Sequence, residues 1–215
     1  MGETAGPVGA ALGLAVASGL SLYGAVFVSG LTIRLGWVHL APAWTTLHVL
    51  ADPVVLAVSG LLFLVEFLAD KIPVVDSLWD AVHTVIRPVG GALLASRALG
   101  ELSPAAEVLA LLLLGGATLA THAAKATTRL AVNASPEPVS NVLISLAENG
   151  VVAGAVWMAL AHPLIALGAG LVAVTLAVTV AVWLARRILG AFGRLKPGHG
   201  SAARRGGRRL RSSVP

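Results

Sequence analysis

Two long stretches without a formal charge constrain the fold of this chain more than any other feature. Residues 4–33 form a first stretch of 30 residues, and residues 149–185 form a second of 37. A helix needs about 20 apolar residues to cross a hydrocarbon core of roughly 30 Å. The second stretch would extend about 55 Å as a single helix. We therefore expect it to divide into two membrane segments, most naturally at His162-Pro163.

The composition agrees with this interpretation. Charged residues make up 12% of the chain and hydrophobic residues 57%, whereas soluble domains carry roughly 25% charged residues. Too little polar surface remains to face water, so we predict an all-α, polytopic bundle of transmembrane helices. There is no cysteine, which excludes disulfides and thiol chemistry.

Hydrophobic patterning divides the chain into six segments. They cover about residues 7–33, 53–70, 74–99, 104–126, 139–161 and 164–185. The third contains Pro88-Val89-Gly90-Gly91, so it is either one kinked span or two half-helices. Residues 127–138 form a polar link. Six spans divide into two halves of three, which is compatible with a 3+3 inverted repeat.

Pairs of glycines four residues apart mark two of these segments. Gly9 and Gly13 lie in the first, and Gly150 and Gly154 lie in the fifth. Small residues at this spacing let helix backbones approach closely in a membrane. We expect these faces to pack helices together, either within the bundle or between copies in a homo-oligomer.

The basic residues are concentrated at the carboxyl end of the chain. Nine of the 15 lysines and arginines lie in the last 30 positions, where there is no acidic residue. We predict a transmembrane helical domain over residues 1–190 and a basic, disordered tail over 191–215. Such a tail favours the cytoplasmic side and anionic lipid. It has no aromatic residue for stacking on bases beyond Phe192, so nucleic acid is not expected as a partner, whereas membrane lipids are.

Charged residues within the membrane segments fall on shared helix faces. Asp76, Asp80, His83 and Arg87 are spaced by 4, 3 and 4 residues, which places them in one narrow stripe. Ionisable side chains in a membrane face protein or water rather than lipid. The stripe is therefore predicted to point into the bundle.

The remaining charged positions extend this pattern. Glu66 and Asp70 are four residues apart on the second segment, and His122, Lys125 and Arg129, at spacings of 3 and 4, form a basic stripe at the end of the fourth segment and just beyond it. Glu148 stands alone in the fifth segment. We expect at least one ion pair between these acids and Lys125 or Arg129.

Two interpretations of these residues remain open. In the first they are structural ion pairs that fix helix register. In the second they form a pathway for a cation or for protons, since acids outnumber bases eight to five from residue 66 to residue 148. The pathway would consist of Glu66, Asp70, Asp76, Asp80, His83 and Glu148. The charge-balancing residues would be Lys71, Arg87, Lys125 and Arg129.

Signatures of membrane and soluble enzymes are missing from the sequence. There is no GxSG, no HExxH and no phosphate-binding loop. We therefore expect neither an enzyme nor a cofactor, and the pattern does not identify a metal.

One long motif carries a family resemblance. The stretch Val65–Pro88, running into Gly90–Ala95, resembles the hallmark of a bacterial integral-membrane family catalogued as domain of unknown function 4126. The resemblance covers about residues 8–190. It implies a bacterial cytoplasmic membrane protein of the same fold, and the family name implies no activity.

A shorter motif has a mechanistic parallel. Glu66-x-x-x-Asp70-Lys71 is similar to the Glu-x-Gly-Asp-Lys/Arg-Ser/Thr signature of a family of cation/proton exchangers. Here Ala69 replaces the glycine, Ile72 replaces the hydroxyl residue, and the acids are four residues apart. The similarity implies that Glu66 and Asp70 handle a cation or a proton.

These observations favour a small transporter or channel for a cation, coupled to protons. Glu66 and Asp70 would be its binding or relay pair, and Asp76, Asp80 and His83 would line the cytoplasmic approach. The alternative is a non-transporting membrane scaffold or lipid-interacting protein with structural ion pairs. A water-filled cavity at Glu66 would favour transport, and a dry, fully paired core would favour the scaffold.

Overall fold

The computed structural model describes residues 2–40, 42–133 and 138–194, and this part of the chain has no strand. The all-α class predicted from the sequence is confirmed. Within these residues the α-helices are Gly2–Leu20 (α1), Leu22–Arg34 (α2), Pro53–Ala69 (α3), Pro73–Ser96 (α4), Pro104–Asn133 (α5), Pro138–Ala161 (α6) and Pro163–Arg194 (α7). Two 3-10 helices cover Pro42–Ala51 and Arg97–Leu99.

The chain divides into two units. Residues 1–181 form the first and residues 182–215 the second. The second unit is described only as far as Arg194. Most of the predicted tail, residues 195–215, lies outside the described residues, so the domain boundary at residue 190 stays a prediction.

Proline begins most of the helices. Pro53, Pro73, Pro104, Pro138 and Pro163 are the first residues of α3 to α7. Proline suits this position because its fixed φ is helical and because the first N–H of a helix has no intrahelical acceptor. The starts of these helices are therefore encoded locally.

The first predicted segment is divided in two at Ser21, so its interpretation as one helix was wrong. Ser21 is extended, with φ −151° and ψ 107°, and it caps α2. Its hydroxyl oxygen accepts a 3.0 Å hydrogen bond from the backbone N–H of Gly24. In a continuous helix that N–H would bond to Leu20. Serine competes with helical hydrogen bonding in this way.

Of the two alternatives left open for the third segment, the structure has one continuous span and not two half-helices. Helix α4 runs from Pro73 to Ser96 with Pro88 in its interior. Proline is tolerated inside membrane helices when neighbouring elements support the backbone. Helix α4 packs against α1 and α5, and the small residues Gly91 and Ala92 are buried there. In the described residues the first hydrophobic segment is interrupted and the third is not.

The other segments follow the prediction with shifted ends. Helices α3, α6 and α7 correspond to the second, fifth and sixth segments, and α5 extends to Asn133 rather than 126. The predicted polar link is therefore partly helical, and its residues 134–137 lie outside the described part. The residues between the first and second predicted segments contain the 3-10 helix Pro42–Ala51.

Helix α1 lies in the middle of the bundle, packed against α4, α5 and α6. Close approach depends on its glycines. A methyl group at Gly9 would overlap the carbonyl oxygen of Pro163, and one at Gly19 would overlap the Thr121 hydroxyl. In contrast, a methyl group at Gly150 or Gly154 would meet nothing within 4 Å in the described structure.

The pattern of burial is the reverse of that in a soluble protein, because charged side chains are buried and many large apolar side chains are exposed. Asp76 and Arg87 are completely buried, whereas Leu113 is 74% exposed and Val85 71%. Exposed apolar side chains cover the outside of several helices. Soluble monomers do not expose apolar surface on this scale, and lipid cannot solvate the buried charges. The bundle is a membrane protein.

By length and composition, three helices are able to cross a membrane. These are Pro104–Leu130, Val142–Ala161 and Pro163–Trp183 of the described chain. A fourth span results if Trp44–Ala51 and Pro53–Ala69, bent by 71°, count as one. Six segments were predicted. The difference arises because Ser21 leaves two shorter helices, and because the charged stripe lowers the hydropathy of α4.

Candidate functional site

The charged stripe of α4 points into the bundle as predicted. Asp76, Asp80, His83 and Arg87 are 0%, 4%, 3% and 0% exposed. The opposite face, including Leu78 at 64%, is open to the surroundings. The spacing of the four residues therefore identified the buried face of this helix.

Arg87 is the centre of a first group of polar side chains, which we call the Arg87 network: Arg87, Glu66, Asp80, His122 and Ser21. The guanidinium donates through Nη2 to Glu66 Oε1 and through Nη1 to Asp80 Oδ1 at 2.9 Å. Ser21 donates its hydroxyl to Glu66 Oε2 at 2.7 Å. Both oxygens of Glu66 are thus engaged.

His122 joins this network as a neutral side chain. Its Nδ1 lies 2.6 Å from Arg87 Nη1, and since a guanidinium has no acceptor, Nδ1 must accept. Nε2 then carries the proton. It lies 3.2 Å from the Asp80 carbonyl oxygen and 3.1 Å from the Thr84 hydroxyl. His122 therefore adds no positive charge beside Arg87.

A second group, the Arg129 network, consists of Arg129, Lys125, Asp70, Asp76 and Glu148. Arg129 Nη2 lies 2.9 Å from Glu148 Oε2 and 3.3 Å from Asp70 Oδ2. Its Nε lies 4.0 Å from Asp76 Oδ2. The description of Glu148 as standing alone was wrong, because the packing of α6 in the bundle brings its carboxylate to both bases of α5.

Lys125 connects this second network to the break in the first segment. Its ammonium donates to the Leu20 carbonyl oxygen at 2.9 Å. It also lies 3.4 Å from Asp70 Oδ2 and 3.6 Å from Glu148 Oε2. The expected ion pair between Lys125 or Arg129 and the acids is confirmed.

Glu66 and Asp70 were expected to act as a pair because they share a face of α3. The structure instead divides them: Glu66 belongs to the Arg87 network and Asp70 to the Arg129 network. Asp70 is the C-cap residue of α3, directly after its last residue, Ala69. One helical turn is enough to bring each carboxylate to a base on a different helix.

Two further sequence candidates lie beside the networks. His83 donates from Nδ1 to the Trp79 carbonyl at 2.8 Å, and its Nε2 lies 3.3 Å from the Tyr23 hydroxyl. Lys71 was predicted to balance charge. It donates to the Phe67 carbonyl at 2.9 Å and lies 3.2 Å from the centre of the Phe67 ring. The pKa of the Lys71 ammonium is lowered, because desolvation by burial outweighs the opposing effect of the Asp70 carboxylate.

The two networks hold unequal numbers of acids and bases. Their bases are Arg87, Lys125 and Arg129. Their carboxylates are Glu66, Asp70, Asp76, Asp80 and Glu148. With His122 neutral, three positive charges face five carboxylates in the described residues. If every carboxylate is ionised, the networks carry a net charge of −2.

A cavity of about 240 Å³ lies between α4 and α5 and reaches both networks. It is lined by Ser77, Asp80, Ala81, Thr84, Ala126, Arg129 and Leu130. Glu66 is not part of this lining. A volume of this size accommodates several water molecules, each of which occupies roughly 30 Å³. This cavity therefore touches Asp80, and it is not the cavity at Glu66 that was to distinguish transport from a scaffold.

Sequence reasoning missed three polar residues of the site. Ser21, Tyr23 and Thr84 hold Glu66, His83 and His122 respectively. A hydroxyl in an apolar segment is a weak signal, because Ser18 and Ser29 look the same in the sequence. What distinguishes Ser21 is its position opposite Glu66, which only the packed bundle reveals.

A family model described as Domain of unknown function (DUF4126) matches residues 8–187. The match covers most of the chain, so the chain belongs to this family. The resemblance carried by Val65–Pro88 is thereby confirmed. No curated protein and no solved structure was found to match the chain.

Proposed function

We propose that this family member is a small membrane transporter or channel that moves a cation, with the movement coupled to protons. The observation that carries this proposal is the excess of buried carboxylates over buried bases. Uncompensated charge is costly in a membrane interior. Two further positive charges are needed to neutralise the networks, and in this proposal they arrive as protons or as the transported cation.

The break at Ser21 supports the proposal. Interrupted helices in transporters place helix ends and free backbone groups at the ion site. Here the two sides of the break contact different networks: the Ser21 hydroxyl bonds to Glu66, and the Leu20 carbonyl accepts from Lys125. A change of charge in either network would therefore act on the same point of the backbone.

The cavity between α4 and α5 is the proposed approach to the charged core. It reaches Asp80 and Arg129, one residue from each network. Asp76 and Asp80 would meet the cation first, and Asp70 and Glu148 would follow. Arg87, Lys125 and Arg129 would balance the carboxylates when no cation is bound. His83 lies at the side of this route, next to Tyr23.

Transport into proteoliposomes tests the proposal. Cation-dependent proton flux would be measured for the wild type, Asp70→Asn and Asp80→Asn, with Glu107→Gln as a control at an exposed acid. We expect the first two variants to lose at least about tenfold in flux, equivalent to about 1.4 kcal/mol in the barrier, and the control to match the wild type. Equal flux in all four proteins would remove these carboxylates from any transport mechanism.

A scaffold without transport is the second candidate, and one observation favours it. Both oxygens of Glu66 are occupied, by Arg87 and by Ser21, as expected for an ion pair that fixes helix register. A folded protein without flux for any tested cation would select this candidate.

We also propose a multi-pass arrangement in the bacterial cytoplasmic membrane with both termini in the cytoplasm. The basic tail and the bases Lys71, Lys125 and Arg129 would then share the cytoplasmic half, in line with the positive-inside rule. A reporter fused after Pro215 should be active only in the cytoplasm. Activity confined to the other side of the membrane would contradict this topology.

A further inference from the structure

The Lys125 ammonium is enclosed by oxygen atoms from three parts of the bundle. We call these atoms the Lys125 cage: the Leu20 carbonyl oxygen at 2.9 Å, Asp70 Oδ2 at 3.4 Å and Glu148 Oε2 at 3.6 Å. The Lys125 side chain is only 1% exposed. A positive charge is thus held by one backbone carbonyl and two carboxylates inside the protein.

The Leu20 carbonyl is available because the helix is interrupted. The Gly24 N–H, which would bond to Leu20 in a continuous helix, bonds to the Ser21 hydroxyl instead. Leu20 is the last residue of α1, and the carboxyl end of a helix carries partial negative charge. The chain therefore directs a helix end toward the cage, and Lys125 binds that end.

We infer that the Lys125 cage is a binding site for a monovalent cation, which Lys125 fills as a tethered substitute in this conformation. The inference rests on the proposed function and names the site and the class of its ion. Hard cations bind carboxylate and carbonyl oxygens, and helix ends with free carbonyls coordinate cations in transporters. The cage offers both kinds of ligand.

The charges around the cage match an ion of single charge. Its two carboxylates are both contacted by Arg129 as well, so one negative charge remains for the ion in the cage. Asp70 Oδ1, which is buried and accepts no hydrogen bond from the described residues, is a further ligand within the same carboxylate. Two positive charges would repel each other in one cage, so the cation enters when the flexible lysine leaves.

The other charged groups near Lys125 come from several elements. Asp76 on α4 lies 4.0 Å from Arg129, and His122, one turn earlier on α5, bonds to Arg87. These groups keep their partners when Lys125 moves. The inference requires no change in their protonation.

Removal of the lysine side chain tests the site without a transport assay. The melting temperature, Tm, of purified Lys125→Ala would be measured in detergent with chloride salts of sodium, potassium and ammonium. The salt of the bulky cation N-methylglucamine would serve at equal ionic strength. We expect a saturable rise in Tm of about 2–4 °C with at least one small cation. The wild type, whose cage is filled, should show no such rise.

Lys71→Ala is the matched control, because it removes a lysine that binds Phe67 and Ser145 rather than the cage. The double variant Lys125→Ala, Asp70→Asn removes a ligand and should lose the cation effect. If Lys125→Ala does not fold, Lys125→Met, which retains an apolar stem, is measured in the same way. A saturable rise in the Tm of Lys125→Met with a small cation supports the site. No such rise overturns the inference.

Two other results would also overturn the inference. One is an equal rise in Tm with N-methylglucamine, which would indicate ionic screening alone. The other is an equal response in Lys71→Ala. The assay is independent of flux: saturable binding without transport in the wild type rejects the proposed function and keeps the site. Transport with no cation effect in Lys125→Ala rejects the site alone.

Discussion

The Arg87 and Arg129 networks are built alike, each with an arginine between carboxylates on neighbouring helices. They differ in how closely the acids and bases are paired and in how far the carboxylates are buried. In the Arg87 network one guanidinium binds Glu66 and Asp80, and the Glu66 side chain is 1% exposed. In the Arg129 network two bases share three carboxylates at 2.9–4.0 Å. The Glu148 side chain is 15% exposed.

This difference separates two roles for buried charge. The compact Arg87–Glu66 pair, in which both carboxylate oxygens are engaged, fixes the register of α3 against α4 and cannot release a partner without leaving a buried charge. A looser group with spare oxygens and some exposure can exchange one cation for another. We therefore assign the structural role to the Arg87–Glu66 pair and the ion-handling role to the Arg129 network, with Asp80, which lines the same cavity as Arg129, on the approach to it.

The largest effect is expected from Arg87→Met. It leaves Glu66 and Asp80 buried without their base, which should reduce the free energy of unfolding by about 3–5 kcal/mol. Denaturant unfolding in detergent measures this. Arg97→Met, at an exposed arginine of the 3-10 helix after α4, is the control and should lose less than about 0.5 kcal/mol. Equal losses in both variants would mean that Arg87 has no structural role.

A smaller effect is expected from Glu148→Gln. The amide keeps the size of the side chain, and Lys125 and Arg129 retain Asp70 as a partner. We expect a loss of about 1–2 kcal/mol in the free energy of unfolding, measured as before with Glu107→Gln as the control. A loss as large as that of Arg87→Met would mean that the Arg129 network depends on each of its partners as strongly as the Arg87 network does.

Ser21→Ala tests the link between the Arg87 network and the break. The variant loses the cap of α2 and the hydrogen bond to Glu66, and caps of this kind contribute about 1 kcal/mol. Ser29→Ala is the matched control, because the Ser29 hydroxyl is buried without a hydrogen-bond partner in the described structure. We expect the unfolding free energy of Ser29→Ala to equal or exceed that of the wild type. Equal losses in the two serine variants would argue that the Ser21 cap contributes nothing.

Part of this site was predictable from local sequence. The spacing of Asp76, Asp80, His83 and Arg87 determines a single helix face, and the cost of exposing charge to lipid determines which way that face points. The helix starts at Pro53 and Pro104 follow from the chemistry of proline in the same way. These features depend on only a few consecutive residues.

The partners of each charge could not be predicted, because they depend on packing between distant segments. Glu66 and Asp70 share a face, yet Arg87 and Lys125 lie on different helices and separate them. Pro88 signals a break locally but lies within α4. Ser21 breaks the first segment where Glu66 accepts a hydrogen bond from its hydroxyl and Lys125 donates one to the Leu20 carbonyl oxygen. Tertiary contacts decided both outcomes.

The smallest effect is expected from Lys71→Met, which defines the edge of the Arg129 network. Lys71 follows Asp70 directly in the chain, but its ammonium lies over the Phe67 ring and donates to the Phe67 carbonyl and to Ser145. Partly exposed contacts of this kind contribute about 0.5–1 kcal/mol. Lys125→Met leaves Asp70 and Glu148 with one base between them and should lose at least twice as much. Denaturant unfolding of the two variants compares lysines close to the same carboxylate. If their losses are equal, Asp70 is balanced from both sides, and the network extends into the turn between α3 and α4.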